Sequence, residues 1–488
     1  MAFEGGLQAD GPRTVAVVGG GLSGAVFALK LAHARPDLKI VVVDEARRPG
    51  RGLAYGACSP FHLLNVPVSR METGLEPRFI DWLQARRDQL ADALAESGGD
   101  LASAFVPRAL FGQYLEALLA GARTRTGGPG VQVLRGRAVG VLGDGRRGLR
   151  LEDGRTIEAG AVILATGNLP PARPGRADAW FYDTPLFTPD PWAADAFDDL
   201  DPTAPVLLVG TGLTMVDVAL KLADRGHTGP MLAVSRRGLV PKAHRAGGSW
   251  PPFLADHIGE APLALLRRIR AEAEAAEAQG TPWQRVFDAA RPAVAALWSR
   301  WSLGQRRQFL RHLRARWDVH RHRTAPRIDA ALAALLEHGQ LRIEAARLAG
   351  FTPSGDRIAV HLVRRGGGKT VFEAARVVNC TGPASALDQL ALPLIEALRT
   401  EGLIKPDALG LGLESRDCAL VEANGTVSAW LFALGPLTRP AWWEITATPE
   451  IVVQVDRLVA RLAHEDLAEP AEPAADAASA FLDLGAGI

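Results

Sequence analysis

The chain of 488 residues carries a formal net charge of +1 at pH 7, and 48% of its residues are hydrophobic. This length and apolar content exclude global disorder, and the balanced charge argues against nucleic acid as a partner, because nucleic-acid-binding proteins carry a broad basic surplus. The three cysteines lie far apart and form no CxxC pair, which excludes a disulfide framework, a cysteine-based zinc site and a dithiol reductase centre.

The first predicted unit begins at Thr14. The stretch TVAVVGGGLSGAVFALKLAHARPDLKIVVVDE indicates a buried strand, a glycine turn, a helix and a second strand that ends in an acid. Gly19, Gly21 and Gly24 have the GxGxxG spacing, which gives a tight turn, close approach of a pyrophosphate to the backbone, and close packing of helix on strand. Asp44 follows where a carboxylate would bond the hydroxyls of a ribose. The unit therefore predicts dinucleotide binding.

A β-rich stretch follows and ends in the small-residue turn Ala-Thr-Gly at Gly167. Small residues suit a chain that passes close to a cofactor or to another domain. Residues 170–205 are then rich in proline, which predicts a semi-rigid connector.

The same pattern returns at residue 206 as VLLVGTGLTMVDVALKLADRGHTGPMLAVSRRG, with Gly210 and Gly212 in the turn and Met215 in the third glycine position. A bulky side chain there should hold the helix slightly off the strand. The acid of the first unit is replaced by three residues that suit a ribose 2′-phosphate, since Arg pairs with phosphate through a fixed fork of donors: Ser235, Arg236 and Arg237. We interpret this unit as an NADP(H) site; a structural βαβ unit with incidental arginines stays open. It closes with a second β block that ends in Cys-Thr-Gly at Gly382.

An insertion at about 250–332 shows a helical pattern, with a capping-box signature at Ser302 and Gln305. The residues that follow at helical spacing form an apolar face: Phe309, Leu310, Leu313 and Trp317. His320 continues this face. On a helix His322 points away from His320, so we expect no shared metal.

The insertion is also basic, because residues 291–327 hold ten arginines and one acid, Asp318. Two interpretations stay open. One is a solvated face on which Arg stems cover apolar surface. The other is an anion-facing helix over a cleft between two cofactors, with Arg321 and Arg323 as candidates for a cofactor phosphate or a substrate carboxylate and His320 as a core or gate residue.

With two glycine turns in tandem, the chain resembles the two-dinucleotide-binding-domain flavoproteins. Five stretches are similar to a bacterial FAD/NAD(P)-binding family whose nearest functional relatives are class B flavoprotein monooxygenases, including the N-hydroxylating ones: GRGLAYG (50–56), HLLNVPVSRM (62–71), FVPRALFGQYL (105–115), WDVHRHRTAP (317–326) and LGPLTRPAWWEITATPEI (434–451). The connector keeps Trp192 but lacks the Gly and His that Baeyer–Villiger enzymes carry, which argues against that chemistry.

The resemblance implies an α/β fold of two Rossmann-like dinucleotide-binding domains, for FAD and NADP, with a helical insertion in the second. The domains would comprise an FAD-binding domain in two parts, the connector, an NADP-binding domain and a tail expected to be disordered: 13–169 with 383–463, 170–205, 206–382 and 464–488.

The resemblance also implies roles for particular residues. The pyrophosphate of FAD would lie over the first glycine turn, the adenosine ribose on Asp44 and the diphosphate near Arg51. Asn65 would approach the isoalloxazine ring as a catalytic residue, although it could equally be a turn residue before a proline. Under that pyrophosphate would lie Gly19, Gly21, Ser23 and Gly24. Gly167 and Gly382 would line the cofactors, and Gly435 would close the flavin end together with a helix that begins near Thr446.

The implied activity is an NADPH-dependent FAD monooxygenase. NADPH reduces the flavin, O2 adds at flavin C4a, and a small-molecule nucleophile takes up one oxygen, with an amine nitrogen favoured and sulfur next. Two alternatives stay open: a reductase or dehydrogenase that passes electrons to a partner or small acceptor, and a flavin-binding scaffold or sensor. No apolar run spans a bilayer and no signal peptide is visible, so we expect a cytoplasmic protein with no membrane partner; the eleven tryptophans leave a homo-oligomer open.

Overall fold

The structure is a computed structural model. It describes most of the chain between residues 13 and 464: 13–56, 59–123, 130–143, 145–175, 178–387, 390 and 392–464. Cys58 and nearly all of the predicted tail lie outside these residues.

The first part of the chain alternates strands and helices before a β block: β1 (Thr14–Val18), α1 (Leu22–Ala34), β2 (Lys39–Asp44), α2 (Gly52–Gly56), α3 (Phe79–Gln84), α4 (Ala91–Glu96), α5 (Arg108–Arg123), β3 (Val131–Arg135), β4 (Ala138–Val141), β5 (Gly148–Leu151), β6 (Thr156–Glu158) and β7 (Ala161–Leu164). The strands β4, β5 and β6 form an antiparallel sheet of their own.

The middle of the chain forms a second βαβ unit with a helical segment between its strands: β8 (Phe187–Thr188), β9 (Val206–Val209), α6 (Leu213–Asp224), β10 (Met231–Ser235), α7 (Pro262–Ala278), α8 (Gln284–Ala290), α9 (Val294–Arg300), α10 (Leu303–His312), α11 (Arg314–Arg321), α12 (Pro326–Glu337), β11 (Leu341–Ser354), β12 (Arg357–Arg364), β13 (Lys369–Ala374) and β14 (Arg376–Asn379). These strands build a seven-stranded sheet in the order β13-β12-β11-β10-β9-β14-β8.

The last part of the chain returns to the first sheet: α13 (Pro393–Thr400), β15 (Ser415–Arg416), β16 (Ala419–Val421), β17 (Val427–Ala433) and α14 (Thr448–His464). The first sheet has the order β15-β16-β17-β7-β1-β2-β3, with β17 parallel to β7 and β1 parallel to both β7 and β2. The helix α14 packs on α1. We call the unit built on the first sheet the first domain and the unit built on the second sheet the second domain. The predicted α/β fold with two Rossmann-like units is confirmed.

The first sheet is buried on both faces, as expected for parallel strands between layers. Along β1, Val15 and Val17 pack into one hydrophobic cluster, while Ala16 and Val18 pack into another on the opposite face. This burial fixes the carboxyl ends of β1 and β2, and therefore the glycine turn and Asp44 that follow those strands.

The insertion comprises α7 to α11 and buries an aromatic cluster around Trp298 and Phe309. The predicted capping box is confirmed, because Ser302 accepts from the Gln305 amide and the Gln305 side chain accepts from the Ser302 amide. The predicted basic helix is broken at Leu313 into α10 and α11. The helix α12 begins within the predicted range 250–332, extends beyond it, and packs against α6 and β11 of the second domain. Within the described residues, no helix is long and apolar enough to cross a membrane.

Candidate active site

A cleft of about 680 Å³ lies at the carboxyl ends of the first-domain strands. We call it the dinucleotide cleft. Its lining includes the first glycine turn, the end of β2 and the turn after β7: Gly19, Gly21, Ser23, Asp44, Arg51 and Gly167. Ligands of open α/β sheets bind at this edge of the strands.

The glycine spacing of this cleft follows from sterics. A Cβ on Gly24 would lie 1.9 Å from the carbonyl oxygen of Gly19, so only glycine lets α1 start this close to β1. Gly19 has φ +100°, and a Cβ there would lie 2.4 Å from the carbonyl oxygen of Ala165. These contacts leave the backbone of the turn facing the cleft.

The residues of the cleft fit a pyrophosphate. The helix α1 has Gly21 as its N-cap with no capping side chain, so its first amides and the positive end of its dipole are free for an anion. The hydroxyl of Thr166 lines the same cleft and is buried without a hydrogen-bond partner in the described structure. A bound phosphate would accept hydrogen bonds from both the free amides of α1 and the Thr166 hydroxyl.

Asp44 and Arg51 line the cleft and already have protein partners. Asp44 accepts from the amides of Gly20 and Ala46, at 2.5 and 2.7 Å, so its carboxylate is fixed at the end of β2. Arg51 forms an ion pair with Glu116 at 2.7 Å. A carboxylate has about four acceptor positions, so Asp44 retains capacity for a ribose.

The start of α1 meets the segment that returns after β17. Gly435 has φ +74°, and a Cβ there would lie 2.9 Å from the hydroxyl of Ser23. The Gly435 amide donates to Gln454 Oε1 at 2.8 Å, which anchors the turn to α14. Thr446 is exposed and lines the cleft, but α14 begins at Thr448, two residues after the predicted start.

The second glycine turn repeats the geometry of the first. Gly210 has φ +118°, and a Cβ there would lie 2.2 Å from the carbonyl oxygen of Cys380, next to the turn at Gly382. Gly212 is exposed, and a Cβ there would meet no heavy atom within 4 Å among the described residues, so a phosphate has room to approach. Met215 is fully buried in the core of the second domain.

The residues predicted for the 2′-phosphate have different surroundings. The Ser235 hydroxyl contacts Thr211 Oγ1 at 2.8 Å and accepts from the Gly238 amide at 3.0 Å, so it holds the turn together. Arg237 donates to the carbonyl of Arg311 at 2.8 Å, which ties it to the insertion. Arg236 is exposed and forms no hydrogen bond or ion pair through its side chain in the described part of the chain.

A larger cleft of about 1120 Å³ lies between the two domains. We call it the interdomain cleft. It shares Ala54, Tyr55 and Thr446 with the dinucleotide cleft, so the two adjoin each other. Leu213, the first residue of α6, also lines it. The second glycine turn and the dinucleotide cleft therefore converge on one space, which Asn65 lines with an exposed side chain.

The basic segment contributes to this cleft in ion-paired form. Arg321 lies 3.0 Å from Glu444, Arg291 lies 2.5 Å from Glu450, and Arg323 pairs with Asp288. Arg321 and Arg323 are 7% and 3% exposed, so both face carboxylates and not open solvent. Sequence reasoning finds only one acid in the segment and misses these partners, because they come from outside it.

His320 and His322 of the segment face different spaces. His320 packs parallel to Phe287 at 5.2 Å, and its Nδ1 lies within hydrogen-bond distance of the Arg316 carbonyl, 2.7 Å away, whereas His322 lines the interdomain cleft. Burial lowers the pKa of His322. The described residues contain no group of three side chains that could hold a metal ion.

Sequence reasoning also missed a contact between the domains. Arg108, at the start of α5, forms an ion pair with Asp217 of α6 at 2.6 Å. The Ser59 amide donates to His62 Nδ1, so His62 carries its proton on Nε2 and donates to the Asp217 carbonyl at 3.2 Å. Arg108 and His62 both lie in stretches that carry the family resemblance, which was the available signal.

His244 was missed as well, and no sequence signal pointed to it. It lines the interdomain cleft, and its Nε2 lies 2.9 Å from the carbonyl oxygen of Asn65. Burial, with the nearby Arg323 guanidinium, lowers the pKa of His244 to about 4. His244 is therefore neutral at pH 7 and donates to the loop that carries Asn65.

Comparison with known proteins agrees with this architecture. Residues 16–169 match a protein-family model described as FAD-NAD(P)-binding, and no curated protein sequence matches the chain. An ornithine N-hydroxylase from Kutzneria sp. 744 aligns at 16% identity over 92% of this chain and 98% of its own, with a TM-score of 0.62.

Two further solved structures give the same result. The L-lysine 6-monooxygenase from Pseudomonas syringae aligns at 16% identity over 92% of this chain and 99% of its own, with a TM-score of 0.63. The cadaverine monooxygenase of Erwinia amylovora, solved with FAD, aligns at 13% identity over 95% and 99%, with a TM-score of 0.60. These structures share the fold of this chain over nearly their whole length.

Proposed function

We propose that this chain is an NADPH-dependent flavin monooxygenase that hydroxylates the nitrogen of a small amine. The observation that carries the proposal is that the dinucleotide cleft adjoins the interdomain cleft at Ala54, Tyr55 and Thr446, and that the start of α6 lines the interdomain cleft as well. Two nucleotides bound at the two glycine turns would bring their reactive rings together there. Structural neighbours that act on ornithine, lysine and cadaverine support the choice of an amine nitrogen.

The reaction converts an amine, O2, NADPH and a proton into a hydroxylamine, water and NADP+. Bound FAD supplies the chemistry, because it accepts the hydride and activates O2. The chain itself positions the cofactors. Residues 13–169 and 383–463 would hold FAD, with the free amides of α1 and Thr166 on the pyrophosphate and Asp44 on the ribose. Residues 206–382 would hold NADPH, with Gly212 against the pyrophosphate and Arg236 on the 2′-phosphate.

The interdomain cleft would receive the amine. Eight arginines and four acids line it, and two of the arginines, Arg291 and Arg321, pair with carboxylates outside the lining, those of Glu450 and Glu444. The cleft therefore keeps a small cationic excess, which can bind cofactor phosphates or a carboxylate on the substrate. Asn65 lies on the cleft wall, on a loop that His244 holds through its carbonyl. A side-chain amide at this position can donate to a flavin nitrogen or accept from the substrate amine.

The test is a stopped-flow experiment on the purified, FAD-loaded protein. The protein is reduced anaerobically with NADPH or NADH and then mixed with O2. We expect faster reduction by NADPH, followed by an absorbance species that is distinct from both reduced and oxidised flavin. Direct return to oxidised flavin would indicate a reductase, and no reduction by either nucleotide would indicate a flavin-binding scaffold.

The substrate class is tested in the same preparation. Ornithine and lysine, which carry a carboxylate, are compared with cadaverine and simple alkylamines, which lack one, and hydroxylamine formation is measured by mass spectrometry. NADPH oxidation that is matched by hydroxylamine, mole for mole, supports the proposal. NADPH oxidation that yields only hydrogen peroxide with every amine would contradict it.

A further inference from the structure

The helical insertion contains a second cavity, separate from the interdomain cleft. It has a volume of about 360 Å³ and lies among α7, α8, α9, α10 and α11, with Trp443 of the returning segment in its wall. We call it the aromatic pocket, after six of its lining residues: Trp283, Phe287, Trp298, Trp301, Trp317 and Trp443. No described residue lines both this pocket and the interdomain cleft, so it is a site of its own.

We propose that the aromatic pocket binds an amphipathic carboxylate, a molecule with an apolar chain or ring and one anionic head group. The volume lies within the range of small-molecule sites, about 300–1,000 Å³, and such sites are mostly apolar with a few charged or polar groups. The pocket has this composition. The proposal does not depend on the activity of the interdomain cleft.

The walls of the pocket are rigid aromatic surfaces. Trp298 stacks on Trp443 with ring centroids 4.7 Å apart, and Phe309 meets Trp443 edge-on at 5.4 Å. On the other side, Trp283 and Phe287 are only half-buried although both line the cavity. Protein interiors are normally close-packed, and apolar rings that face open space gain contacts when an apolar ligand fills it.

The rim of the pocket selects the charge of the head group. Its charged lining residues are Arg270 and Glu277 on α7 and Arg316 on α11, and all three are exposed, which marks the solvent side. Neither arginine forms an ion pair within the described residues, in contrast to the paired arginines of the interdomain cleft. Two unpaired guanidinium groups against one carboxylate favour an anion.

One hydrogen bond connects the pocket to the interdomain cleft. The ring of Trp317 lines the pocket, and its Nε1 donates to Glu444 at 2.7 Å. Glu444 in turn pairs with Arg321, which lines the interdomain cleft. A ligand in the pocket would therefore contact Trp317, whose hydrogen bond holds Glu444 in this ion pair. Trp317 fluorescence would report the binding of such a ligand.

The test uses the full-length, FAD-loaded protein without NADPH. It is titrated with decanoate, decanol and decylammonium, which share one chain and differ in head-group charge, while tryptophan fluorescence and heat are recorded. We expect saturable binding of decanoate, with an affinity about tenfold higher than that of decanol, as one charge-assisted hydrogen bond provides. No saturable binding of decanoate, or equal or tighter binding of decylammonium, would overturn the proposal.

Two matched pairs of variants locate the ligand. Ala273→Trp places a ring in the pocket and is expected to abolish decanoate binding, whereas Ala271→Trp, on the exposed side of the same helix, is expected to leave it unchanged. Arg316→Gln should reduce decanoate affinity about tenfold and leave decanol unaffected, whereas the exposed Arg267→Gln should change neither. Unchanged decanoate binding in Ala273→Trp, with wild-type circular dichroism, would show that the ligand binds elsewhere.

Discussion

The Nε of Arg321 lies 3.0 Å from a carboxylate oxygen of Glu444, and both side chains are buried. Arg321 is the last residue of the helical insertion, whereas Glu444 belongs to the segment that returns to the first domain. Burial alone would raise the pKa of Glu444, but the positive charge of Arg321 lowers it below its usual value, so Glu444 is ionised at neutral pH. The pair thus joins the two domains at the wall of the interdomain cleft.

Arg321→Gln is expected to destabilise the protein by about 3–5 kcal/mol, because it leaves a buried carboxylate without its cation. The free energy of unfolding is measured by urea denaturation of the FAD-loaded protein. Arg300→Gln, at an exposed position of α9, is the control and should change stability by less than about 0.5 kcal/mol. A double variant with Glu444→Gln should recover part of the loss; equal losses for Arg321→Gln and Arg300→Gln would contradict the buried-pair interpretation.

The two glycine turns should respond differently to alanine. In Gly24→Ala the new Cβ would overlap the Gly19 carbonyl, 1.9 Å away, so the turn must shift; we expect a loss of about 1–3 kcal/mol in stability and weaker FAD retention. In Gly212→Ala the Cβ meets no described protein atom within 4 Å. That variant should fold and retain FAD, with a KM for NADPH raised about tenfold because the methyl group occupies the space that a phosphate would approach.

These two variants are compared by bound flavin per chain, urea unfolding and steady-state kinetics. Wild-type NADPH kinetics in Gly212→Ala would mean that the second turn holds no nucleotide, whatever the first one binds. Full flavin retention and stability in Gly24→Ala would mean that the helix can move away from the strand at no cost.

Arg236→Ala tests the nucleotide preference. Arg236 is exposed and has no partner among the described residues, whereas Ser235 and Arg237 are occupied within the protein. We therefore expect Arg236→Ala to lower kcat/KM for NADPH about tenfold to a hundredfold and to leave kcat/KM for NADH unchanged. Arg267→Ala, exposed on α7, is the control. An equal change for both nucleotides would remove Arg236 from 2′-phosphate recognition.

The sequence predicts the local pattern well and the long-range pairing poorly. The turn at Gly19 and Gly24 can be identified because its chemistry depends on residues a few positions apart. The aromatic face of Phe309 and Trp317 can be identified by helical spacing, and the structure packs it into the core of the insertion. Such features are fixed by local sterics and periodicity.

Whether the arginines of the basic segment are ion-paired or free cannot be predicted in this way. The run of arginines suggests an open anion site, but Arg323 pairs with Asp288 and Arg321 with Glu444. Only the tertiary fold brings these carboxylates into contact, since one precedes the run and the other follows it by more than a hundred residues. The ion pair of Arg108 cannot be predicted from the sequence for the same reason, because its partner Asp217 is in the other domain.

The pH dependence of stability tests the environment of His244. Its pKa in the folded protein is about 4 because of burial, whereas an unfolded histidine has a pKa of about 6.5. As the pH falls, the unfolded chain therefore binds the proton before the folded protein does. The stability that neutral His244 contributes is fully present above pH 6.5 and is lost as the pH falls from 6.5 through 4, by about 3 kcal/mol. His244→Gln should lack this part of the dependence, so its stability difference from wild type should narrow between pH 7 and pH 4. A constant difference for His244→Gln would contradict the assignment.

The contact between Arg108 and Asp217 is expected to set the rate of flavin reduction. It ties α5 of the first domain to α6, the helix that follows the second glycine turn, and Trp192 of the connector packs edge-on against the neighbouring His62 at 5.6 Å. Hydride transfer requires the two rings at a fixed distance, and small misplacements of reacting groups cost large factors in rate.

Asp217→Asn keeps the shape of the side chain and removes its charge, so the domains lose the ion pair but not their packing. We expect an anaerobic reduction rate at saturating NADPH that is lower by about tenfold, with bound FAD per chain unchanged. Asp356→Asn, in the exposed turn between β11 and β12, should behave as wild type. If Asp217→Asn reduces its flavin at the wild-type rate while Gly212→Ala does not, the orientation of the domains is held by contacts other than this pair.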